Sequence, residues 1–363
     1  MLHGKTIAVV VPAYNEESQI AMVIDTMPDY VDRIIIVNDK SKDKTAEVVA
    51  GKIKTSGSCT LPPREEIVDN LYNRAEIVAR QVDEAELSLF NPFEIYNESE
   101  TDRLVLINHT ENGGVGAAIS TGYKWCKDKD IDCTAVMAGD GQMDPSELKG
   151  ICLPVVQEGI DYVKGNRLIH RSARLVIPAV RYFGNSILSI LTKLASGYWH
   201  VSDTQTGYTA IGIDALKSIR LYDIYRSYGM PNDMLVKLNM AFCTLKEVPI
   251  KPIYDVGEQS KMKIFKVIPR ISWLLIKSFF KRLWIKYLVK DFHPLFLLYN
   301  MSFILFGFAI YYGWKIWEVS NDAMREVNEL TVMAFMFLFI SGLQSIFFAM
   351  WMDMQDNLSL IHI

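Results

Sequence analysis

The sequence has few cysteines and lacks a signal-peptide pattern in its first residues, and both features limit the class that we expect. Its 363 residues include only five cysteines, an odd number without the paired spacing of a zinc site. This argues against both a zinc site and a disulfide framework. The chain begins with a short strand pattern rather than the long apolar region of a signal peptide. We therefore expect reduced thiols and a cytosolic location for about the first 260 residues.

Acidic residues are absent between Lys261 and Lys290, a stretch that holds nine Lys or Arg. In helical projection, one group of basic side chains falls on a common side. This group comprises Lys263, Lys266, Arg270, Lys277 and Lys281. Such a segment, residues 259–292, is typical of an amphipathic helix in the interface of an anionic leaflet. A solvated basic helix and a nucleic-acid patch are the alternatives. The adjoining apolar stretch favours the membrane, and we expect no nucleic acid partner.

Two apolar runs, residues 295–317 and 332–352, each exceed the roughly 20 residues that cross a bilayer. Two buried helices of a soluble protein are the alternative interpretation. The loop from Glu318 to Thr331 carries four acids and one Arg, which places it outside by the positive-inside rule. The sequence therefore predicts a multi-pass cell membrane protein with two spans in residues 293–363, whose chain ends and first 258 residues face the cytosol.

Residues 1–258 alternate strand and helix patterns, which is typical of an α/β domain with a mostly parallel, helix-covered sheet. Strands are predicted at residues 6–11, 33–37, 103–107, 134–137, 162–164, 208–213 and 245–253. Helices are predicted at residues 16–27, 116–126 and 231–242, and from Asp214. Residues 55–102 interrupt this alternation and indicate an inserted helical segment with a helix at 65–86. The insertion either contacts a partner or membrane surface or is a decoration without chemistry.

Asp140 and Gln142 follow a short apolar run and are separated by a glycine. Mg²⁺ takes oxygen ligands and commonly shares one or two carboxylates with substrate phosphates. A tight polar turn without metal is the alternative.

Two further strand ends carry polar residues, after Val11 and after Val37. Ligands of open α/β sheets bind beyond the carboxyl ends of strands, so we expect a nucleotide crevice there. Asp39 could accept hydrogen bonds from a base or ribose. Helix capping through Asn38, Asp39 and Ser41 is the alternative.

A glycine-rich turn from His109 to Ala118 opens a helix, and the backbone N–H groups at Gly114 are expected to approach phosphate. A dehydrogenase is rejected. The spacing from Gly114 to Gly116 puts Ile119 where the last glycine or alanine of a dinucleotide fingerprint belongs.

Taken in order, the motifs resemble those of family 2 glycosyltransferases of GT-A (Rossmann-like) fold. The nearest resemblance is to polyprenyl- and dolichyl-phosphate glycosyltransferases of the dolichol-phosphate mannose synthase type. It covers about residues 5–54 and 103–290 by motif, and the spanning hairpin by architecture. The motifs are Pro12-Ala-Tyr-Asn-Glu, Asn38-Asp39, Asn112-Gly-Gly-x-Gly, Asp140-x-Gln142, Gly165-Asn-Arg167, Asp203-x-Gln-x-Gly-Tyr208 and Ser260-Lys261.

The resemblance implies roles for individual residues. The nucleotide would be held by Pro12, Ala13, Tyr14, Glu16 and Asp39. Mg²⁺ or Mn²⁺ on the diphosphate would be bound by Asp140 and Gln142. The lipid phosphate would be received by Arg167, Arg181 and Asn185. Ser260 and Lys261 would clamp phosphates as a closing loop, and Asp203 and Gln205 would shape the sugar and acceptor pocket. Ala138 departs from the family pattern, which usually has an acid there, and this puts metal affinity in question.

The expected reaction is inverting sugar transfer from a UDP- or GDP-linked donor to a polyprenyl phosphate at the cytosolic membrane face. The acceptor phosphate, with a second pKa near ~6, is already anionic, so no perturbed general base is required. Transfer to a lipid or lipid-linked saccharide hydroxyl, with Asp203 as base, is the second possibility. An inactive nucleotide-sugar-binding relative is the third. The sugar and the oligomeric state, a homo-oligomer included, stay open.

Overall fold

The computed structural model describes residues 1–62, 70–97, 101–173, 179–253, 264–321 and 326–362, with the side chains of 179–185 and 264–267 left undescribed. Within these residues, nine strands form one sheet in the order β3-β4-β2-β1-β5-β7-β6-β8-β9. The strands are β1 (Ile7–Ala13), β2 (Arg33–Asn38), β3 (Phe93–Ile95), β4 (Leu104–His109), β5 (Cys133–Val136), β6 (Tyr162–Asn166), β7 (Thr209–Gly212), β8 (Leu245–Pro249) and β9 (Ile361–His362).

The sheet is mixed rather than uniformly parallel. The pairs β1-β2, β1-β5, β2-β4 and β6-β8 are parallel, whereas β7 runs antiparallel to both β5 and β6. The strands β1 and β2 are rich in β-branched residues and buried along almost their whole length, as expected for central strands covered on both faces. Ala8 and Val10 of β1 pack into one apolar cluster, while Val9 and Val11 pack into the other, on the opposite face.

Helices cover the sheet, and most lie where the sequence predicts them. They are α1 (Ile20–Asp25), α2 (Thr45–Ile53), α3 (Arg74–Ala85), α4 (Val115–Asp128), α5 (Leu148–Glu158), α6 (Ala179–Ser196), α7 (Ile213–Ser218) and α8 (Met230–Met240). The first helix is shorter than predicted. The backbone N–H groups of Glu16 and Glu17 bond to side chains of the neighbouring loop, Thr45 and Asp43, instead of entering the helix.

The segment 55–102 contains both helix and strand. In its described part, α3 buries none of its side chains, and residues 65–69 of the predicted helix lie outside the described residues. The segment ends in β3, which pairs antiparallel with β4 and forms one edge of the sheet. That strand was not predicted, because its three residues, Phe-Glu-Ile, are too few for their alternation to identify a strand.

Beyond the sheet lie α9 (Ile264–Trp284), a π-helical turn (Ile285–Lys290), α10 (Pro294–Ser320) and α11 (Glu329–Asp356). Among the described residues, α10 and the helical stretch that begins with α11 are long and apolar enough to cross a membrane. They pack on each other closely enough for the Ser302 hydroxyl to donate to the Gly342 carbonyl at 3.0 Å. The chain then returns to the sheet, where β9 pairs in parallel with β8 through Leu245 and Lys246.

Candidate active site

The loops that follow β1, β2 and β4 meet at the carboxyl edge of the sheet. Asn15, in a left-handed conformation with φ of 58°, accepts from Lys42 N–H at 2.7 Å. Asn38 donates to Asn108 at 2.9 Å. Two of the predicted nucleotide residues, Pro12 and Ala13, end β1 at this edge, and Tyr14 beyond them is 37% exposed. These loops thus adjoin one another where the sequence predicts a nucleotide crevice.

Asp39 is buried in this edge and hydrogen-bonded to neighbouring residues. Its Oδ1 accepts from Gly113 N–H at 2.8 Å and lies 2.8 Å from His109 Nδ1, and its Oδ2 accepts from Gly114 N–H at 2.7 Å. Burial alone would raise the pKa of Asp39, but the His109 and glycine bonds hold it below its usual value. The carboxylate thus organises the glycine turn, and its contact with a base or ribose stays a prediction.

The N–H groups of the glycine turn are also hydrogen-bonded within the protein, and their approach to phosphate stays a prediction. Gly113 and Gly114 donate to Asp39, and Gly116 donates to the Arg226 carbonyl at 2.9 Å. Gly114 has φ of +85°, and a Cβ there would lie 2.5 Å from that carbonyl. The glycines thus permit the close approach of a neighbouring backbone. Glycine spacing alone does not show whether a backbone or a phosphate lies beside the turn.

Asp140 lies in the turn after β5 and is half-buried. Its Oδ1 accepts from Gln142 N–H at 3.0 Å, and no ion-pair partner for it occurs among the described residues. Burial raises the pKa of Asp140, and its backbone hydrogen bonds offset only part of that effect. A half-buried carboxylate without a cation is suited to receive one.

No group of three or more His, Cys, Asp or Glu suited to a metal occurs in the described parts of the chain. An ion at Asp140 and Gln142 would therefore draw its other ligands from substrate phosphates and water, a coordination typical of Mg²⁺.

A pocket beside this turn joins the predicted metal and acceptor residues. Gln142 and Arg167 both line it, together with Tyr208 and Lys251. Ile253 lines it as well, and the chain beyond that residue, with Ser260 and Lys261, lies outside the described residues.

Arg167 is held in this pocket by Asp203. Its Nε and Nη2 donate to the two carboxylate oxygens at 2.8 and 3.0 Å, and its backbone N–H donates to Oδ2 at 3.2 Å. Asp203 is 2% exposed, whereas the Arg167 side chain is 23% exposed. Burial alone would raise the pKa of Asp203, but Arg167 and then Lys164 lower it below its usual value. Asp203 is thus a weak base that orients a cation.

Residues that the sequence reasoning did not assign complete this arrangement. Glu247 on β8 accepts from the backbone N–H groups of Ser202 and Asp203 at 3.0 and 3.1 Å. Lys164 on β6 is fully buried and donates to the Thr206 carbonyl, and burial lowers its pKa to about 8. The sequence signal for these two residues was that Lys164 and Glu247 are charged residues inside predicted strands. A charge that is buried in a strand requires a partner.

Gln205 faces inward as well. Its Nε2 donates to Thr204 Oγ1 and to Asn232 Oδ1, both at 2.9 Å. Asn232 is fully buried in α8 and also accepts from Thr192 of α6 at 2.9 Å. The turn with Gln205 is therefore tied to the two helices beneath it. Arg181 and Asn185 lie on α6, but their side chains are outside the described residues.

Comparisons with known proteins agree with this architecture. Residues 8–81 match the model of the family described as Glycosyl transferase family 2. A UDP-N-acetylglucosamine–dolichyl-phosphate N-acetylglucosaminyltransferase of Methanococcus voltae is 28% identical over 275 residues, which cover 74% of this chain and 96% of that protein. An undecaprenyl-phosphate mannosyltransferase of Micrococcus luteus is 26% identical over 165 residues, which cover 45% of this chain and 67% of the relative.

Among solved structures, glucosyl-3-phosphoglycerate synthase from Mycobacterium tuberculosis in complex with UDP is similar with a TM-score of 0.46 and 19% identity. The similarity covers 77% of this chain and 80% of that chain.

Proposed function

From the family 2 glycosyltransferase domain that this chain carries, we propose that it transfers a sugar from a nucleoside-diphosphate sugar to a polyprenyl phosphate at the cytosolic face of a membrane. One observation carries the proposal. Gln142, beside the half-buried Asp140, and the Asp203-bound Arg167 line the same pocket. A site for a diphosphate-bound cation thus adjoins a fixed guanidinium suited to a second phosphate.

The donor would lie across the loops after β1, β2 and β4, with Pro12, Ala13, Tyr14 and Glu16 toward the nucleoside. Asp140 and Gln142 would hold a Mg²⁺ or Mn²⁺ ion on the diphosphate. When bound, such an ion supplies Lewis-acid stabilisation of charge on the leaving group. The half-buried carboxylate with a raised pKa supports this assignment, even though Ala138 stands where relatives of this type usually have an acid.

The acceptor phosphate would be received by Arg167 and by the α6 residues Arg181 and Asn185. A phosphate oxygen attacks the anomeric carbon, a new C–O bond forms opposite the breaking one, and the nucleoside diphosphate leaves, with inversion. Because a phosphomonoester with second pKa near ~6 is already anionic at neutral pH, no general base is needed. Asp203 could serve the hydroxyl acceptor only poorly, since Arg167 lowers its pKa and occupies both its oxygens.

The membrane assignment rests on the outer surface of α9 and on the two long helices. Trp273, Ile276, Phe280 and Trp284 of α9 are 41–70% exposed, and Phe280 lies 5.6 Å from the ring of Phe303 in α10. Arg270, Lys277 and Lys281 are exposed on an adjacent side of α9. Aromatic residues beside cations are typical of a helix in an anionic interface.

Exposed aromatic residues also mark both ends of the proposed hairpin. Trp351 of α11 and Trp284 lie at the end near the catalytic domain, while Tyr311, Trp314 and Trp317 lie toward the other end of α10. From Leu295 to Trp317, at 1.5 Å per residue, the helix is about 33 Å long, close to the roughly 30 Å hydrocarbon thickness. The return of β9 to β8 supports a hairpin with both ends on the catalytic side.

The test uses the purified full-length chain with undecaprenyl phosphate, Mn²⁺ and a panel of radiolabelled UDP-glucose, UDP-N-acetylglucosamine and GDP-mannose. Label that is extractable into organic solvent as a sugar phospholipid supports the proposal. Label in a glycoside of a lipid hydroxyl, or donor binding without turnover on any acceptor, would overturn it.

A further inference from the structure

Arg282 of α9 is a buried cation at the junction between the catalytic domain and the apolar hairpin. Its side chain is 1% exposed. Its Nη1 and Nη2 donate to Oδ1 and Oδ2 of Asp353, each at 2.8 Å. Asp353 is fully buried near the end of α11. A bidentate guanidinium-carboxylate pair fixes both distance and direction, so α9 and the end of α11 are held in one relative geometry.

The same guanidinium holds α6. Its Nε donates to the Ala195 carbonyl at 2.9 Å, and Nη2 donates to the Leu194 carbonyl at 3.2 Å. These carbonyls lie in the last turn of α6, where a cation compensates unsatisfied acceptors. Gly197 follows with φ of +79°, and a Cβ there would lie 2.5 Å from Arg282 Nη1. The chain after α6 thus leaves space for the guanidinium.

Neighbouring side chains keep the carboxylate in place. The Tyr287 hydroxyl donates to Asp353 Oδ1 at 2.6 Å, and Trp199 Nε1 donates to Oδ2 at 3.3 Å. Asn357 Nδ2 donates to Oδ1 at 2.9 Å, while its own Oδ1 accepts from Asn239 of α8 at 2.7 Å. Both oxygens of Asp353 therefore have several donors, and the network joins α8, α9 and α11.

We propose that Arg282 and Asp353 are positioning residues for the lipid acceptor, because they fix α6 against the interfacial helix and the hairpin. The proposal rests on the proposed function, in which α6 presents Arg181 and Asn185 to the acceptor phosphate. Arg181 is 13 residues before Leu194, about 20 Å along the helix at 1.5 Å per residue. The tilt of α6, set at its last turn, therefore determines where the phosphate of a bilayer-held lipid meets the donor.

A buried ion pair is a poor source of net stability, and apolar replacement of both partners is often neutral to stability. The double variant Arg282→Met/Asp353→Leu therefore removes the pair without leaving an unpaired charge. Lys217→Gln is the control, since Lys217 of α7 forms an exposed ion pair with Asp130. Arg282→Met alone would leave a buried carboxylate unpaired and is unsuitable.

Activity is measured with full-length chains in phosphatidylcholine/phosphatidylglycerol vesicles with undecaprenyl phosphate, and in detergent with water-soluble citronellyl phosphate. A misplacement of about 1 Å can cost on the order of 100-fold in rate. We expect kcat/KM for undecaprenyl phosphate to fall about tenfold or more in the double variant. The donor KM, the rate with citronellyl phosphate, and both rates of Lys217→Gln should be unchanged. Equal loss with both acceptors, or no loss with either, would overturn the proposal.

A distance measurement separates this proposal from the proposed function. Spin labels are placed at Ile190 on α6 and Phe347 on α11, which are 67% and 62% exposed. Cys59 is replaced by Ser, because the other four cysteines are buried. The double variant should broaden the distance distribution by pulsed EPR, and Lys217→Gln should not. An unchanged distribution overturns the positioning role even where transfer occurs. Broadening in a chain that transfers sugar to neither acceptor supports the role of Arg282 and Asp353 in fixing α6 and rejects the proposed transferase function.

Discussion

Asp203 holds the Arg167 guanidinium through both of its carboxylate oxygens, at 2.8 and 3.0 Å. The carboxylate is almost fully buried, whereas the arginine reaches the pocket that Gln142 also lines. The two residues belong to motifs that are 36 residues apart in the sequence, and they have different structural roles. The buried member sets the direction of the exposed one, which lines the pocket.

Replacement of Asp203 should therefore affect acceptor recognition more than proton transfer. In Asp203→Asn we expect the acceptor KM to rise by roughly tenfold or more, because a misdirected guanidinium loses its geometry. The donor KM should change little. Steady-state kinetics with both substrates varied provides the measurement, and Asp161→Asn, at another carboxylate that holds a turn through Thr244, is the control. A rise confined to the donor KM would contradict this assignment.

The pH profile offers a second check on the same residue. The pKa of Asp203 is held below its ordinary 3.8, so its ion pair stabilises the fold above that pH and is lost only as pH falls through the lower folded value. Transfer should show no acidic limb from Asp203 between neutrality and about pH 5. A limb in that range that disappears in Asp203→Asn would favour a general base.

Asp140 should be required for metal-dependent transfer. In Asp140→Asn the rate should fall by about 100-fold or more, the order of loss when electrostatic stabilisation of a leaving group is removed. Mn²⁺ binding, followed by EPR of the free ion, should weaken in parallel. Asp144→Asn is the matched control, since that neighbouring carboxylate caps Ser146 N–H at 2.9 Å. Full activity of Asp140→Asn with unchanged Mn²⁺ affinity would refute the assignment.

Protons should compete with the metal at this carboxylate. Because burial raises the pKa of Asp140 above 3.8, acidification protonates it earlier than an exposed aspartate, and Mn²⁺ affinity should decline at correspondingly higher pH. Titration calorimetry of wild type and Asp140→Asn across the acidic range measures this. Affinity that is independent of pH in wild type would count against Asp140 as a ligand.

Asp39 should stabilise the fold directly. Its removal in Asp39→Ala leaves the N–H groups of Gly113 and Gly114 without their acceptor, at about 1–3 kcal/mol for each unsatisfied buried group. We expect a clear loss in urea unfolding of the full-length chain in detergent, accompanied by weaker donor binding. Asp43→Ala, at the more exposed next turn, serves as the comparison. Loss of donor binding without loss of unfolding stability would instead indicate a direct contact between Asp39 and the nucleotide.

The fold was predictable where it depends on local pattern, and less so where it depends on distant contacts. The apolar runs of β1 and β2 and the two long helices follow directly from residue type. The two-residue β9 and the reversed direction of β7 have no comparable local signal. Both are decided by which strand lies beside them in the finished sheet.

The site shows the same division. Motif order indicated that Asp140, Gln142, Arg167 and Asp203 act together. In the structure, Gln142 and Arg167 line one pocket, and Asp203 holds the Arg167 guanidinium. The sequence could not indicate that the Asp39 carboxylate would be hydrogen-bonded to His109, 70 residues away. A motif identifies polar residues at a strand end, but not whether a ligand or the protein itself satisfies them.

The pairing of β9 with β8 has a consequence for how the catalytic domain can be prepared. A fragment that stops before the two long apolar helices would lack β9 and leave the edge of β8 uncovered. Uncovered strand edges recruit other strands. Such a fragment should self-associate during purification, even though the strands proposed to face the nucleotide lie at the opposite part of the sheet. Biochemical work on this protein is therefore better done with the complete hairpin in place.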